Sequence, residues 1–417
     1  RMAGTAELFD EGFDLVDPFP LGLIGEKPLV VCVGPLAFFR GDPMIVDAVD
    51  DLLAIGFQVL QAAGANIQVD AYSVPSLADW NADGLPDLIV GEKTIDAVSK
   101  EAVGKVRVYL NHGTPTAPVF TDFFYAKMSG DNSDLSVAAE GCLGAFPRLV
   151  DWNNDGRPDL LVGTADGHLA RFLNTGTASG PVFAAPTYVQ AGDAGAKTDI
   201  RVGARATFDV VDWNEDGRKD LVVGALDGKV RVYFNRADSG EPDLALATFV
   251  QASGSDLVVP SGRSSVTVVD LDGDGSKDLV AGDTNGTVYL YRNIGSNAAP
   301  AFGQPQSIEA AGAAIAVGPS ARSRPFVGDY NDDGVPDLLV GGADGLVRLY
   351  VGHPGSEGGS TAGQPGEAYT YTTQVAYPTD PPTADLANPT TGSTVLDWQL
   401  NARACLDAVF TDVARLG

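Results

Sequence analysis

A nine-residue phrase occurs five times in this chain, and an apolar strand follows each copy. In the copy Asp212–Asp220, oxygen-bearing side chains occupy positions 1, 3, 5 and 9, and glycine occupies position 6. This is the spacing of a loop that wraps around a hard cation, in which the glycine takes a left-handed turn and the carbonyl at position 7 adds a ligand. The other copies are Asp79–Asp87, Asp151–Asp159, Asp270–Asp278 and Asp329–Asp337.

The five loops divide the chain into repeats whose starts lie 72, 61, 58 and 59 residues apart. In the second repeat, the loop is followed by the strand Leu160–Gly163 and by the turn Asp166-Gly167, a dipeptide that favours a tight hairpin. An alternating strand, an Asn-x-Gly turn and a Pro-x-Phe phrase that opens a fourth strand complete the repeat. The third repeat replaces the Asn-x-Gly turn with Arg236–Asp243. Four antiparallel strands in about 60 residues predict the blades of an all-β propeller.

The two terminal segments depart from the repeat. We assign residues 1–61 to a degenerate first blade that lost its metal ligands, with a helix inserted over Asp42–Phe57. Residues 62–377 form the five blades that carry loops. Residues 378–417 form a connector rich in Pro and Thr, a strand and a C-terminal helix over Asn401–Leu416, which closes the ring or contacts a neighbouring molecule. One degenerate and five regular blades favour a ring of six blades. A ring of seven blades would result if residues 378–417 added another sheet.

The composition excludes several classes of partner and of site. The net charge of −28, from 27 Lys and Arg against 55 Asp and Glu, makes a nucleic acid an unsuitable partner. No apolar run approaches the length of a membrane span. The three cysteines, Cys32, Cys142 and Cys405, are too few and too scattered for a disulfide framework or a zinc site, and buried thiols or one disulfide remain open.

The loop phrase, together with the Asn-x-Gly-Thr and Pro-x-Phe phrases, resembles the FG-GAP/VCBS-repeat β-propellers, which include integrin α-subunit propellers and some lectins. The resemblance covers about residues 74–352 and, more weakly, residues 12–61. It implies that each loop binds Ca²⁺ between the first and second strands of a blade. The side-chain ligands it implies are Asp79, Asn81, Asp83, Asp87, Asp151, Asn153, Asp155, Asp159, Asp212, Asn214, Asp216, Asp220, Asp270, Asp272, Asp274, Asp278, Asp329, Asn331, Asp333 and Asp337. The carbonyl ligands at position 7 would come from Leu85, Arg157, Arg218, Ser276 and Val335.

The donor chemistry favours about five structural Ca²⁺ ions over other metals. Every donor is oxygen, and no His or Cys takes part. The glutamate that ends an EF-hand loop is missing, and strands flank each loop, so we expect no sensor-type opening. Each ion would relieve the repulsion among three or four carboxylates and stabilise the folded state. Asp-rich turns without a metal are the alternative.

No catalytic constellation is visible, and we predict that the chain is not an enzyme. The histidines His112, His168 and His353 lie in or beside turns of different repeats, with no nucleophile to pair with. The sequence has no Gly-x-Ser-x-Gly, phosphate-binding glycine loop or zinc motif.

A large residue recurs at position 2 of each loop: Trp80, Trp152, Trp213, Leu271 and Tyr330. An aromatic ring there could stack on a sugar in a lectin. A recurring large residue beside a metal loop is more typical of packing between blades, and we expect packing here.

These patterns predict a secreted or cell-surface protein that binds or assembles. Its partners would be a protein or glycan at the cell surface, or other copies of itself. One hypothesis is adhesion, and another is a structural subunit of a filament or surface layer, joined through the irregular terminal segments. A carbohydrate-binding lectin and a polysaccharide-active enzyme are the alternatives.

Overall fold

The computed structural model describes residues 23–24, 27–28, 57–141, 143–318, 322–353 and 370–372. The chain divides into two compact units, residues 1–52 with 377–417 and residues 53–376. In the first unit, the described residues are one antiparallel hairpin, β1 (Leu23–Ile24) with β2 (Lys27–Pro28). In the second unit, every regular element that the structure describes is a strand.

The strands of the second unit are β3 Gln58–Val59, β4 Gln61–Ala62, β5 Ala65–Asn66, β6 Val74–Ala78, β7 Asp87–Ile95, β8 Ala102–Tyr109, β9 Phe124–Tyr125, β10 Ser136–Ala138, β11 Phe146–Val150, β12 Asp159–Gly163, β13 Leu169–Phe172, β14 Thr187–Tyr188, β15 Gln190–Ala191, β16 Thr198–Asp199, β17 Thr207–Val211, β18 Asp220–Gly224, β19 Val230–Tyr233, β20 Thr248–Phe249, β21 Gln251–Ala252, β22 Ser255–Asp256, β23 Ser265–Val269, β24 Asp278–Gly282, β25 Val288–Tyr291, β26 Gln306–Ser307, β27 Glu309–Ala310, β28 Ala313–Ala314, β29 Arg324–Gly328, β30 Asp337–Gly341, β31 Val347–His353 and β32 Thr370–Thr372.

Five antiparallel sheets of four strands form the blades of a β-propeller. In order from the inner to the outer strand, they are β6-β7-β8-β9, β11-β12-β13-β14, β17-β18-β19-β20, β23-β24-β25-β26 and β29-β30-β31-β3. In the first blade, β10 also pairs with β8, because β7 and β8 are longer than their counterparts. A short hairpin, such as β15 with β16, leads from each outer strand toward the next blade. The propeller is therefore confirmed as the fold.

The phrase in the sequence marks the same place in every blade. Each loop joins the inner strand to the second strand, and the residue before the loop pairs with the last Asp of the loop, as Val150 pairs with Asp159. The second strands of the second to fifth blades are fully buried, since both of their faces pack against neighbouring blades. This burial explains their continuous apolar sequence, for example Leu160-Leu161-Val162.

The ring closes with five blades, because the strand that precedes the first blade completes the fifth. Val59 of β3 pairs with Arg348 of β31. The amide of the next residue, Leu60, donates to the carbonyl of Val347 at 2.9 Å, as Ile308 donates to Val288 at 2.9 Å in the fourth blade. The prediction of six blades, with seven as the alternative, is not supported by the described residues.

The apolar core confirms this closure. Five buried clusters lie between neighbouring blades: first and second, second and third, third and fourth, fourth and fifth, and fifth and first. The last cluster joins Leu60, Leu88 and Val90 to Leu339 and Val347. Residues at the two ends of the ring therefore share one core.

The predicted helices over Asp42–Phe57 and Asn401–Leu416 are not supported. Apart from Phe57, which is not helical, they lie outside the described residues. Within the described ranges, no helix could cross a membrane.

Candidate metal loops

Each of the five loops, numbered here in chain order, folds around the carboxylate of its first aspartate. In the second loop, the amide of Asp155 donates to Oδ1 of Asp151 at 3.0 Å, and the amide of Gly156 donates to Oδ2 at 3.0 Å. The same two bonds recur in the other four loops at 2.8–3.1 Å. The side chain at position 1 therefore fixes the turn that brings positions 3 and 5 beside it.

The backbone of every loop needs two left-handed residues. The glycine at position 6 has φ between 82° and 89°, and a side chain there would be strained. The residue at position 4 is also left-handed, for instance Asn154 with φ 57° and Glu215 with φ 61°. The glycine in the phrase is thus a conformational requirement of the loop.

The aspartate at position 5 bonds to the amide at position 7 in every loop. The amides of Leu85, Arg157, Arg218, Ser276 and Val335 donate to it at 2.7–3.0 Å. The Arg157 guanidinium also contacts Asp155 at 2.6 Å and lowers the pKa of that carboxyl to about 2. The Asp155 side chain is therefore ionised across the physiological pH range.

The aspartate at position 9 is buried and accepts two backbone hydrogen bonds. Oδ2 of Asp220 accepts the amide of Trp213 at 3.0 Å, and Oδ1 accepts the amide of Asn235 at 2.7 Å. The corresponding aspartates of the other loops accept the same pair of bonds at 2.7–3.2 Å. This residue therefore ties the loop to the start of the second strand and to the end of the third.

Burial raises the pKa of every position-9 aspartate. It reaches about 6 for Asp220, Asp278 and Asp337. Neighbouring acids of the same loop raise this pKa further, although less than burial does. For Asp87 they are Asp83 and Asp79, and for Asp278 they are Asp272 and Asp274. Each loop therefore gathers negative charge that a bound cation would neutralise.

The fourth loop carries a fourth acid, because Asp272 replaces the asparagine at position 3. Carboxylate oxygens of Asp270, Asp272 and Asp278 lie within 4.8 Å of one another. Among the described residues, no other group of three or more acids brings its oxygens this close together. Arg292 contacts Asp272 at 3.2 Å and offsets part of this charge. In the other loops, the asparagine amide donates to the aspartate at position 5 at 2.9–3.1 Å.

The residues present fit a calcium ion. Every side chain at positions 1, 3, 5 and 9 offers oxygen, these side chains lie in one turn, and the carboxylates repel one another without a cation. The structure thus brings positions 1, 3 and 9 within ligand distance of one another in the fourth loop. In all five loops, hydrogen bonds link the backbone of positions 5 to 7 to the acids at positions 1 and 5.

The large residue at position 2 packs between blades, as the sequence predicts. Trp80, Trp152 and Trp213 are 2%, 1% and 6% exposed. The Trp80 ring lies 5.8 Å from Phe183 of the second blade, and the Trp213 ring lies 5.8 Å from Phe302 of the fourth. These side chains are therefore core residues and not an exposed platform.

The FG-GAP-like repeat family model matches residues 212–281 and 270–340. Human integrin alpha-7 is 26% identical over 307 residues, which cover 68% of this chain and 24% of that protein. Integrin alpha-7 of Rattus norvegicus is 28% identical over 226 residues, covering 49% and 19%. Integrin alpha-4 of Xenopus laevis is 33% identical over 106 residues, covering 22% and 10%.

This chain spans about a quarter or less of the length of these relatives. Among solved structures, BBS1N in complex with ARL6DN matches 70% of this chain and 96% of that one at 12% identity, with a TM-score of 0.32. The resemblance predicted from the loop phrase is confirmed by the repeat model and by the integrin relatives.

Proposed function

Because the chain carries FG-GAP-like repeats on a five-bladed β-propeller, we propose that it is a calcium-stabilised binding module that acts in adhesion outside the cell. The observation that carries the proposal is the fivefold loop, in which oxygen donors surround one turn and a buried aspartate joins three strands. Calcium binds through the twenty side chains and five carbonyls assigned above.

The role of each ion is structural. Without a cation, a loop confines three or four carboxylates to one turn, and their repulsion opposes folding. An ion that binds only the folded state stabilises it by about 2.7 kcal/mol when its free concentration is 100-fold above the dissociation constant. Five loops around the ring would therefore make the stability of the protein depend strongly on calcium.

The matches to integrin alpha chains support an adhesive role with a protein partner at the cell surface. They support binding rather than catalysis, and we propose a non-enzymatic protein. Self-assembly into a filament or surface layer and activity on a polysaccharide stay predictions. Apart from β1, β2 and residues 57–61, the terminal segments on which the assembly hypothesis rests lie outside the described residues.

The adhesive role is tested by coating a surface with the full chain and counting attached cells in calcium and in a calcium chelator. The proposal predicts attachment that needs calcium and that soluble protein competes away. Attachment that is absent in calcium, or equal in the chelator, would refute it. Far-ultraviolet circular dichroism in both buffers separates loss of binding from loss of the fold.

A further inference from the structure

Equivalent positions of the five blades can be compared residue by residue. The second blade differs from the other four at one position of its third strand. The position compared lies three residues before the turn that follows the third strand, which begins at Asn174 in the second blade. At this position, the other blades bury an aliphatic side chain. Val108, Val232, Leu290 and Leu349 are 0%, 3%, 4% and 1% exposed. The second blade has Arg171 there, a charged group at a position that is otherwise core.

The facing segment of the third blade breaks the pattern at two further positions. Nine residues after the conserved turn asparagine, the first, second and fourth repeats have Phe120, Phe183 and Phe302, whereas the third has the smaller Leu244. Six residues after it, Glu241 stands where the other repeats have Ala117, Gly180 and Ala299. Both changes lie in or beside Arg236–Asp243, the segment that replaces the usual turn.

Two of the three changed residues, Arg171 and Glu241, line one cavity between the second and third blades, called here the blade 2–3 cavity. The third, Leu244, lies in the same buried cluster as Trp152. The volume of the cavity is about 430 Å³, and its lining includes Trp152, Arg171, Tyr188, Lys197, Asp199 and Glu241. This volume lies within the range of roughly 300–1,000 Å³ that small-molecule sites have.

The equivalent positions at two other blade interfaces are smaller or filled. Between the third and fourth blades, the cavity measures about 150 Å³, and its lining is mainly apolar, with Trp213, Phe249 and Phe302. Between the first and second blades, the Trp80 ring lies 6.1 Å from Phe124 and 5.8 Å from Phe183. The size and polarity of the blade 2–3 cavity thus come from its own side chains and not from the repeat.

One buried donor at this cavity is unpaired. The indole Nε1–H of Trp152 finds no acceptor among the described residues, although the residue is 1% exposed. A buried polar group without a partner costs about 1–3 kcal/mol and points to an absent water or ligand. The nitrogen exposes less than 1 Å² of surface, so an acceptor reaches it only if the cavity wall shifts.

The charged groups of the cavity balance. Arg171 donates to Oγ1 of Thr187 at 2.9 and 3.0 Å and forms an ion pair with Glu241. Oδ1 of Asp199 accepts a hydrogen bond from the side-chain amide of Gln190 at 2.8 Å. Lys197 also lines the cavity and pairs with Asp243 at 2.8 Å. The four charged residues of the lining, two cations and two anions, therefore sum to zero in a protein of net charge −28.

One wall is an aromatic ring held in place by a neighbour. Tyr188 is 44% exposed, and its ring stacks on His168 with a centroid distance of 4.4 Å and an angle of 19°. Nδ1 of His168 is in turn 2.8 Å from Asp166. A fixed, half-exposed ring beside polar groups offers an apolar surface at low entropic cost.

We propose that the blade 2–3 cavity binds a neutral polyhydroxylated ligand, the chemistry of a sugar ring. Each hydroxyl both donates and accepts, which matches a lining that combines the N–H donors of Arg171 and Lys197 with the carboxylate acceptors of Asp199 and Glu241. The C–H face of such a ring packs on Tyr188. The balanced charge disfavours acids and amines. This inference goes beyond protein adhesion and does not depend on it.

The test follows the indole N–H resonances of the calcium-saturated full chain, labelled with ¹⁵N at tryptophan. Glucose, galactose, mannose and N-acetylglucosamine are titrated separately, with glucuronate and glucosamine as charged comparators. The resonance of Trp152, identified by its loss in Trp152→Phe, is expected to shift saturably with at least one neutral sugar, while that of Trp213 stays in place.

Two variants restore residues that the other repeats use, so they are expected to fold. Arg171→Val and Glu241→Ala should each weaken the sugar affinity about tenfold or more. Phe249→Ala is the matched control, because Phe249 occupies the position of Tyr188 in the next blade and should leave the affinity unchanged. No shift with any neutral sugar, tighter binding of a charged comparator, or unchanged affinity in both variants would overturn the proposal.

Discussion

Gly341, at the end of a strand in the fifth blade, touches Ser73, which precedes the first blade: a Cβ on Gly341 would lie 2.1 Å from the carbonyl oxygen of Ser73. The hydroxyl of Ser73 also accepts the amide of Gly342 at 3.0 Å. The same glycine contact joins every neighbouring pair of blades, at 2.2–2.3 Å for Gly91, Gly163, Gly224 and Gly282. Ser73 and Gly342, which are 269 positions apart, are thus in contact in the same way as the residues that join sequential blades.

We therefore expect Gly341→Ala to weaken the closure of the ring. The added methyl group would meet backbone, which cannot move aside without shifting a blade, and overpacking of this kind costs about 1–3 kcal/mol or more. Urea unfolding in calcium measures the change. Gly303→Ala is the control, because a Cβ there meets nothing within 4 Å, and equal stability of the two variants would contradict this closure.

Leu60 supplies a second test of closure, since it is 4% exposed in the core between the fifth and first blades. Leu60→Ala is expected to lower the free energy of unfolding by about 2–5 kcal/mol. Ile308→Ala, at the same position after the outer strand of the fourth blade, should cost a similar amount. A negligible effect at Leu60 beside a large one at Ile308 would show that residues 57–60 are not part of the fifth blade.

The loops and blades could be predicted from sequence because their signals are local. The ligand spacing, the glycine at position 6 and the turn dipeptides each lie within one repeat, and the structure places each loop between the first two strands as predicted. The number of blades could not be predicted in this way. It depends on the pairing of Val59 with Arg348, nearly 290 residues later, and two-residue strands carry no periodicity that reveals a partner.

The blade 2–3 cavity has a sequence signal that is visible only when repeats are compared. Arg171 breaks a column of aliphatic residues, and Glu241 breaks a column of small ones. Neither residue forms a motif by itself. The unpaired indole of Trp152 depends on side-chain packing and could not be inferred from the spacing of residues.

Positions 9 and 5 of a loop should respond differently to the loss of charge. Asp220→Asn leaves one of two buried backbone amides without its acceptor, so we expect about 2 kcal/mol or more of destabilisation in chelator and a larger loss in calcium, where a ligand is removed as well. Asp216 is exposed, and Asp216→Asn should reduce stability in calcium much more than in chelator. Thermal unfolding of both variants in both buffers measures this, and an effect of Asp220→Asn confined to calcium would contradict the scaffold role.

We expect the free energy of unfolding to depend on pH through Asp283, which lies outside the five loops. It is fully buried, it accepts the amide of Thr287 at 2.9 Å, and burial raises its pKa above 3.8. The folded state therefore holds this proton more tightly than the unfolded chain. The resulting stabilisation is complete below pH 3.8 and is lost as the pH rises through the raised pKa.

Asp283→Asn removes this titration, so the variant should be more stable than the wild type at neutral pH. Its advantage should shrink as the pH falls toward 3.8. Urea unfolding of both proteins across this range, with calcium matched, gives the difference at each pH. A difference that stays constant would show that the Asp283 carboxyl has a similar pKa in the folded and unfolded states.

A direct count of bound calcium tests whether the five loops hold five calcium ions that stabilise the ring. The full chain is equilibrated with calcium, freed of unbound ion, and assayed for metal by mass spectrometry beside its thermal unfolding. We expect one calcium per loop and an unfolding temperature that falls when chelator removes the ions. A protein that binds no calcium and unfolds at the same temperature in chelator would contradict this expectation.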